Sequence, residues 1–101
     1  MECLHEEARI AIWALFHNAN LQNVDFREAR IRGGDFCGSV LAGARFAGAE
    51  LVTADFRGAN LKGARELTGK HLGQSLTDRS TILPNGKPGP YMRSSGAEHP
   101  G

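Results

Sequence analysis

A five-residue repeat occupies residues 14–63 of this 101-residue chain and constrains its fold more than any other feature. Written in fives from Ala14, the sequence reads ALFHN ANLQN VDFRE ARIRG GDFCG SVLAG ARFAG AELVT ADFRG ANLKG. The third residue of every block is large and apolar, and the first is small in nearly every block. With 41% hydrophobic residues in the chain, ten consecutive matches at one position are not a chance pattern.

A period of five residues fits neither an α-helix, which needs about 3.6, nor a flat strand, which needs 2. It suits a backbone that makes a short extended stretch, turns a corner and repeats. The last residue of each block would form the corner, and it is Gly or Asn in eight of the ten blocks. Both residue types tolerate the backbone angles of tight turns. The repeat therefore predicts a solenoid.

The blocks resemble the A(D/N)LXX signature of the pentapeptide-repeat family, most clearly at residues 19–23 (ANLQN) and 54–63 (ADFRGANLKG). The resemblance covers about half of the chain and implies an all-β fold, a right-handed quadrilateral β-helix. Each coil would contain four blocks, so the chain would make about 2.5–3 coils spaced by roughly 4.8 Å, with short helical caps at its ends. The resemblance also implies a structural role for Asp or Asn at the second position of a block.

Twenty residues per coil would stack residues twenty apart on the same side. Ten inward side chains then form four columns and are the predicted structural core: Phe16, Phe36 and Phe56; Leu21, Leu41 and Leu61; Phe26 and Phe46; Ile31 and Leu51. The small residue two places before each of them is needed because a narrow lumen has no room for a second large side chain.

The outward positions predict pairs between neighbouring coils. Two stacked pairs carry opposite charges: Asp25 with Arg45, and Arg30 with Glu50. A third pair, Asp35 with Asp55, carries like charges, and Arg57 is near enough to reduce their repulsion.

Outside the repeats the pattern changes. We predict an N-terminal cap at residues 1–13, the β-helix at 14–67, a C-terminal cap at 68–84 and a disordered tail at 85–101. Residues 4–12 suit a short helix, with a strand of the first coil as the alternative. After the repeats, Glu66 occupies the next core position with Leu67 one place late, and Thr68 suits the start of a short helix. The tail is too rich in Pro and Gly to build a core.

No catalytic constellation, cofactor site or metal site is predicted, and the chain is not expected to be an enzyme. Ser39 lacks the GxSxG elbow of serine hydrolases and is interpreted as a small inward spacer. The second-position aspartates Asp25, Asp35 and Asp55 are interpreted as structural.

The chain's thiols and imidazoles do not follow a known metal-binding pattern. Cys3, His5, His17 and Cys37 match no structural zinc spacing, although His17 and Cys37 would stack with Arg57 on one outer face. Cys37 beside Arg57 suggests a mildly reactive thiol. Without a secretory signal, two free thiols are favoured over a disulfide.

Charge and hydropathy limit the classes of partner. Twelve Lys and Arg against eleven Asp and Glu leave the chain nearly neutral, which argues against capture by nucleic acid or a membrane. The basic residues are scattered among acids without outward aromatics for base stacking: Arg27, Arg30, Arg32, Arg57, Lys62 and Arg65. The acid-rich start of the chain and the lack of a long apolar run favour a cytoplasmic location.

The predicted function is that of a rigid, non-catalytic interaction or scaffold module whose protein partner the sequence does not identify. Four apolar residues at outward positions form the candidate interaction surface: Val40, Ala42, Ala47 and Val52. A homodimer is one expected outcome. The alternative comes from the resemblance, since some members of the family regulate DNA gyrase or another topoisomerase by DNA mimicry. The near-neutral charge and the short repeat region argue against it.

Overall fold

Successive turns of the backbone pair in parallel at a spacing of twenty residues. The computed structural model describes residues 16–100, so the predicted N-terminal cap at residues 1–13 lies outside the described chain. Six parallel bridges join residues twenty apart, from Asn20 with Val40 to Arg45 with Arg65. Nine of the ten core residues, all but Leu51, donate their N–H to the next coil, as in the bond from Phe36 N to the Asp55 carbonyl oxygen at 2.8 Å. The twenty-residue coil that the family resemblance implies is confirmed by these bridges.

The coil is held by single-residue bridges, and no extended strand occurs within residues 16–100. A corner at every fifth residue leaves no room for a longer ladder on any one side. All ten predicted corner residues have positive φ, between 57° at Asn18 and 75° at Gly58. The corners thus lie at the residues that the repeat predicts. At Glu28 and Thr53 the positive φ is sterically unfavourable, because both residues have a Cβ atom.

The corner at Thr53 predicts a stabilising substitution. Thr53 has φ 60°, which costs an L-residue about 1–2 kcal/mol. We expect Thr53→Gly to raise the free energy of unfolding by about 0.5–1 kcal/mol, because the greater entropy of unfolded glycine offsets part of the gain. Gly63→Ala is the matched control: its new Cβ would lie 3.8 Å from the Gly43 nitrogen, an ordinary contact, at φ 74°. It should lower the same quantity. Denaturant melts that move both variants in one direction would contradict this account.

The core is a stack of like side chains. Eight of the ten predicted core residues, from Phe26 to Leu61, are buried, while Phe16 and Leu21 at the start of the described coil are partly buried. Phe36 stacks on both Phe16 and Phe56 with ring centroids 5.1 Å apart. Phe26 meets Phe36 edge to face at 5.9 Å, so the two phenylalanine columns touch across the lumen.

The columns define four outer sides, each named here by its core residues. The first Phe side covers Phe16, Phe36 and Phe56, and the Leu side covers Leu21, Leu41 and Leu61. The second Phe side covers Phe26 and Phe46, and the Ile/Leu side covers Ile31 and Leu51.

The regular repeat ends where Glu66 makes an early turn. Glu66 has φ 57° and is exposed, which brings Leu67 into the core at 1% exposure. Helix α1 follows at Gly69–Gly73, and the Thr68 hydroxyl accepts a hydrogen bond from the His71 N–H, which confirms Thr68 as its cap. No helix within residues 16–100 is long and apolar enough to cross a membrane.

The predicted C-terminal cap continues the coil irregularly. Leu76 pairs with Asp55 and Ile82 pairs with Asn60, both in parallel, so the spacing grows to 21 and then 22 residues. Thr81 is fully buried between these bridges, and its hydroxyl donates to the Phe56 carbonyl oxygen at 2.9 Å. The segment therefore covers the last coil by pairing with it.

The tail after Pro84 is ordered in the structure, so the prediction of a disordered tail at residues 85–101 differs from what residues 85–100 show. Gly89 N–H donates to the Thr81 carbonyl oxygen at 2.7 Å, and Asn85 N–H to that of Ala97 at 3.0 Å. Tyr91 packs against the core cluster, and Ala97 is 5% exposed. The physical reason is that the irregular last coil leaves backbone groups to pair, which a composition rich in Pro and Gly does not prevent.

Candidate functional site

The second-position side chains build the turns. The Oδ1 atoms of Asp25, Asp35, Asp55 and Asn60 each accept the N–H two residues later, at 2.9, 2.9, 3.1 and 3.0 Å. Such turns satisfy a backbone donor with a short polar side chain. The structural interpretation of the three aspartates is confirmed, and it is an acceptor role that an amide oxygen fills equally well.

Ser39 is an inward spacer, as the repeat predicts. Its side chain is fully buried, and its hydroxyl donates to the Phe36 carbonyl oxygen at 2.7 Å. A buried hydroxyl in a satisfied bond to the backbone has no access to a substrate.

Two turn aspartates also hold an arginine from their own block. Arg57 donates through Nε and one terminal nitrogen to the two oxygens of Asp55, at 2.9 and 2.7 Å. Arg27 donates to the two oxygens of Asp25 in the same way, at 2.9 and 2.8 Å. The predicted stacking of Asp25 on Arg45 is confirmed as a backbone bridge, but the ion pair forms within the block because the turn points both side chains the same way.

The predicted pair on the Ile/Leu side also forms. Arg30 Nε lies 3.9 Å from one Glu50 oxygen, and Arg32 Nε lies 3.7 Å from the other. All three side chains are about half exposed or more, so the pairs contribute about 0–1 kcal/mol each.

The densest group of titratable side chains lies on the first Phe side. Asp35 bridges to Asp55 as predicted, and the Cys37 N–H donates to Asp35 Oδ1 at 2.9 Å. His17 Nδ1 is 3.5 Å from Asp35 Oδ2. One donor atom each from His17, Asp35 and Cys37 falls within 4.8 Å of the other two. The twenty-residue coil predicts that His17 stacks on Cys37. It does not predict that Asp35 approaches both side chains.

The environment of Cys37 contradicts the prediction of a mildly reactive thiol. Burial, together with the hydrogen bonds and negative charge of Asp55 and Asp35, raises the pKa of Cys37 to about 12. The Arg57 guanidinium is hydrogen-bonded to the Asp55 carboxylate, at 2.7 Å. Cys37 is in no disulfide, and its raised pKa favours the protonated thiol.

Asp55 predicts a contribution to acid sensitivity. Hydrogen bonding to Arg57 lowers the pKa of Asp55 from 3.8 to about 2. Because the folded carboxyl holds its proton less tightly than the unfolded one, its stabilisation is complete above about pH 4 and is lost as the pH falls towards 2. Asp55→Asn keeps the turn acceptor and removes the charge. Its free energy of unfolding should therefore fall less steeply between pH 4 and 2 than that of the wild type. Parallel curves in urea melts at each pH would contradict this.

The Leu side differs from the others in its lack of charge. Its outward positions, at residues 20, 22–23, 40, 42–43, 60 and 62–63, include one charged residue, Lys62. Val40 occupies the middle, bridged to Asn20 below and Asn60 above. Ala42 lies beside it, and both are partly exposed.

The four residues of the candidate interaction surface do not form one patch. Val40 and Ala42 share the Leu side, whereas Ala47 falls on the second Phe side and Val52 on the Ile/Leu side. The separation from Val40 to Val52 covers more than half of a twenty-residue coil, so residues close in sequence face opposite directions. Val52, at 38% exposure, is the most accessible of the four.

A cleft between α1 and the tail was missed by the sequence analysis. It has a volume of about 840 Å³ and is open to solvent. Tyr91 and Glu98 line it, and the Tyr91 hydroxyl donates to Glu98 at 3.1 Å. Its formation depends on the ordered tail, which the composition did not indicate.

Comparison with known proteins identifies the repeat. The family model described as pentapeptide repeats (9 copies) matches residues 16–60. Among solved structures, the chain is similar to HetL, a pentapeptide repeat protein involved in heterocyst differentiation regulation from the cyanobacterium Nostoc sp. strain PCC 7120. The identity is 18% and the TM-score 0.31 over 79% of this chain and 51% of that one, so the chain spans about half the length of HetL. No curated protein matches.

Proposed function

Since residues 16–60 make this chain a member of the pentapeptide-repeat family, we propose that it is a rigid, non-catalytic interaction module that binds a partner protein through its Leu side. The right-handed β-helix that the repeats imply serves as the scaffold. The scaffold holds the Leu side, which has Lys62 as its one charge, in a fixed shape.

The observation that carries the proposal is the contrast between the sides. The outward positions of the other three sides include ionic residues on more than one coil, among them Asp25, Arg45 and Glu50. The Leu side has Lys62 alone. The centres of protein interfaces are depleted in charged residues, because desolvating a charge costs more than a neutral contact returns.

Rigidity supports the same function. Val40 is tied to the preceding coil, through its N–H to the Ala19 carbonyl oxygen at 2.9 Å and through its own carbonyl oxygen to the Leu21 N–H at 2.7 Å. Its chain neighbours Ser39 and Leu41 make the bonds to the following coil, both to Asn60, at 2.9 and 2.8 Å. A surface with its backbone fixed in this way loses little conformational freedom on binding, which lowers the entropic cost of association.

DNA mimicry is disfavoured as the alternative. The repeats at residues 16–65 contain seven basic and five acidic residues, and Asp25, Asp55 and Glu50 each have an arginine partner. A mimic of DNA needs a continuous negative face, and these pairs neutralise the acidic positions locally.

The test compares two substitutions on opposite sides. Val40→Glu places a charge at the centre of the Leu side, and Val52→Glu places the same charge on the Ile/Leu side. The fold accepts acids at the block position of Val40, as Asp25 and Glu50 show. We expect a partner captured from the cells of origin to be retained by the wild type and by Val52→Glu, and at least tenfold less by Val40→Glu. Equal recovery with all three baits would contradict the proposal.

Self-association is the simplest case of such binding. A side with Lys62 as its one charge can meet its own copy across a two-fold axis with little like-charge repulsion. We expect light scattering over a concentration series to show a dimer that Val40→Glu dissociates and Val52→Glu leaves intact. A strict monomer at high micromolar concentration would exclude the homodimer and leave a different protein as the partner.

A further inference from the structure

The cluster of His17, Asp35 and Cys37 on the first Phe side presents three kinds of metal-ligand atom at close range. An imidazole nitrogen, a carboxylate oxygen and a thiol sulfur lie within 4.8 Å of one another. Two ligands of a tetrahedral Zn²⁺ ion are about 3.3–3.8 Å apart, given metal–ligand distances of about 2.0–2.3 Å. His17 Nδ1 and Asp35 Oδ2, at 3.5 Å, already have that separation. His17 is exposed, and Asp35 and Cys37 are partly buried.

We propose that His17, Asp35 and Cys37 bind a single Zn²⁺ ion, with water in the fourth position. The mixed nitrogen, oxygen and sulfur donor set suits a borderline metal such as Zn²⁺, whereas Mg²⁺ and Ca²⁺ favour oxygen ligands throughout.

The turn geometry prepares Asp35 for this role. Its Oδ1 accepts the Cys37 N–H at 2.9 Å, so the carboxyl group is held in one orientation. Oδ2 is the atom that faces His17. A second contact that orients a ligand without occupying its free oxygen is typical of metal sites in proteins.

Asp55 and Arg57 form the surroundings of the site. Asp55 is bridged to Asp35 on the neighbouring coil, and its charge is paired with Arg57 at 2.7 Å. A divalent cation would also offset the repulsion between the stacked carboxylates of Asp35 and Asp55. On binding, the Cys37 thiol gives its proton to solvent as the sulfur–zinc bond forms, and the imidazole binds in its neutral form.

The site would join two coils. His17 belongs to the first described coil, and Asp35 and Cys37 belong to the second, so an ion bound by all three cross-links them. Since the unfolded chain lacks the preformed site, binding should also raise the melting temperature.

Co²⁺ is the spectroscopic probe, because cobalt–thiolate coordination gives a charge-transfer band and tetrahedral coordination gives strong visible bands. The chain has two cysteines, so the experiment uses a Cys3→Ser background in which Cys37 is the remaining thiol. We expect one Co²⁺ to bind per chain and to give a charge-transfer band and visible bands. Both sets of bands should disappear when one equivalent of Zn²⁺ is added.

Variants assign the ligands. Cys37→Ser should abolish the charge-transfer band, and His17→Ala and Asp35→Asn should each weaken Co²⁺ binding at least tenfold. Asp35→Asn preserves the turn, since Asn60 makes the same bond. Asp25→Asn, at the same block position on the second Phe side, and His99→Ala, on an exposed residue of the tail, are controls that should bind as the parent does.

A melting experiment gives an independent readout. Zn²⁺ should raise the melting temperature of the Cys3→Ser protein and leave that of Cys3→Ser/Cys37→Ser unchanged. The proposal is overturned by the absence of a one-to-one cobalt complex, or by a complex that His17→Ala and Asp35→Asn leave unaffected.

Discussion

Replacing Phe36 with alanine is expected to lower the free energy of unfolding by about 3–5 kcal/mol, the cost of emptying a phenylalanine site in a packed core. Phe36 is fully buried. It stacks on Phe16 and Phe56 at 5.1 Å on either side and meets Phe26 edge to face. Because each coil is tied to the next by the backbone ladder, the walls cannot close around the missing ring, and a cavity remains.

Urea or guanidinium melts measure the effect. Val52→Ala is the control: it removes apolar atoms from a side chain that is 38% exposed and should cost less than about 0.5 kcal/mol. A loss below about 1 kcal/mol for Phe36→Ala would show that the column is not the core of the molecule.

Deleting residues 85–101 is expected to lower the free energy of unfolding by about 2 kcal/mol or more. Tyr91 is partly buried against the core, so its burial contributes part of the roughly 1.5–3 kcal/mol that full burial of a large apolar side chain is worth. The deletion also removes the bonds of Gly89 to Thr81 and of Tyr91 N–H to the Thr77 hydroxyl, each worth about 0.5–1.5 kcal/mol. A loss of 2 kcal/mol corresponds to a fall in melting temperature of roughly 8–16 °C for a chain of this size.

Calorimetry or circular dichroism on the truncated chain tests this. Deleting residues 99–101 alone is the matched control, since His99 and Pro100 are exposed, and it should shift the melting temperature little. Tyr91→Ala in the full chain separates the docked side chain from the backbone bonds and should reproduce part of the loss. An unchanged melting temperature on removal of residues 85–101 would restore the expectation of a disordered tail.

The candidate metal site contains contacts that the sequence predicts and one contact that it does not predict. The period places His17 below Cys37, because a twenty-residue coil makes residues 17 and 37 neighbours whatever their side chains are. It also places Asp35 over Asp55. It does not say that the turn bond of Asp35 to the Cys37 N–H aims the second carboxylate oxygen at His17. That depends on side-chain torsions, which a repeat pattern leaves open.

The candidate interaction surface shows the same limit in another form. Val40 and Val52 are both apolar and outward, and twelve residues separate them. The coil turns them to opposite sides. The contrast between the Leu side, with Lys62 as its one charge, and three sides with several charges becomes visible only when residues are grouped by side.

The sequence by itself determined the period, the ten core residues, the ten corners and the stacking of residues twenty apart. The first three follow from local steric rules repeated in every block: a small residue, a large inward residue and a corner. The stacking follows from the four blocks per coil that the resemblance to the pentapeptide-repeat family implies. The tertiary structure alone decided what happens where the repeat stops. Glu66 turns early so that Leu67 becomes buried, the bridges shift to 21 and 22 residues, and the tail folds onto the last coil. The physical reason is that a solenoid end is closed by whichever nearby chain satisfies its exposed backbone and core. That choice depends on contacts between distant segments and leaves no periodic trace in the sequence.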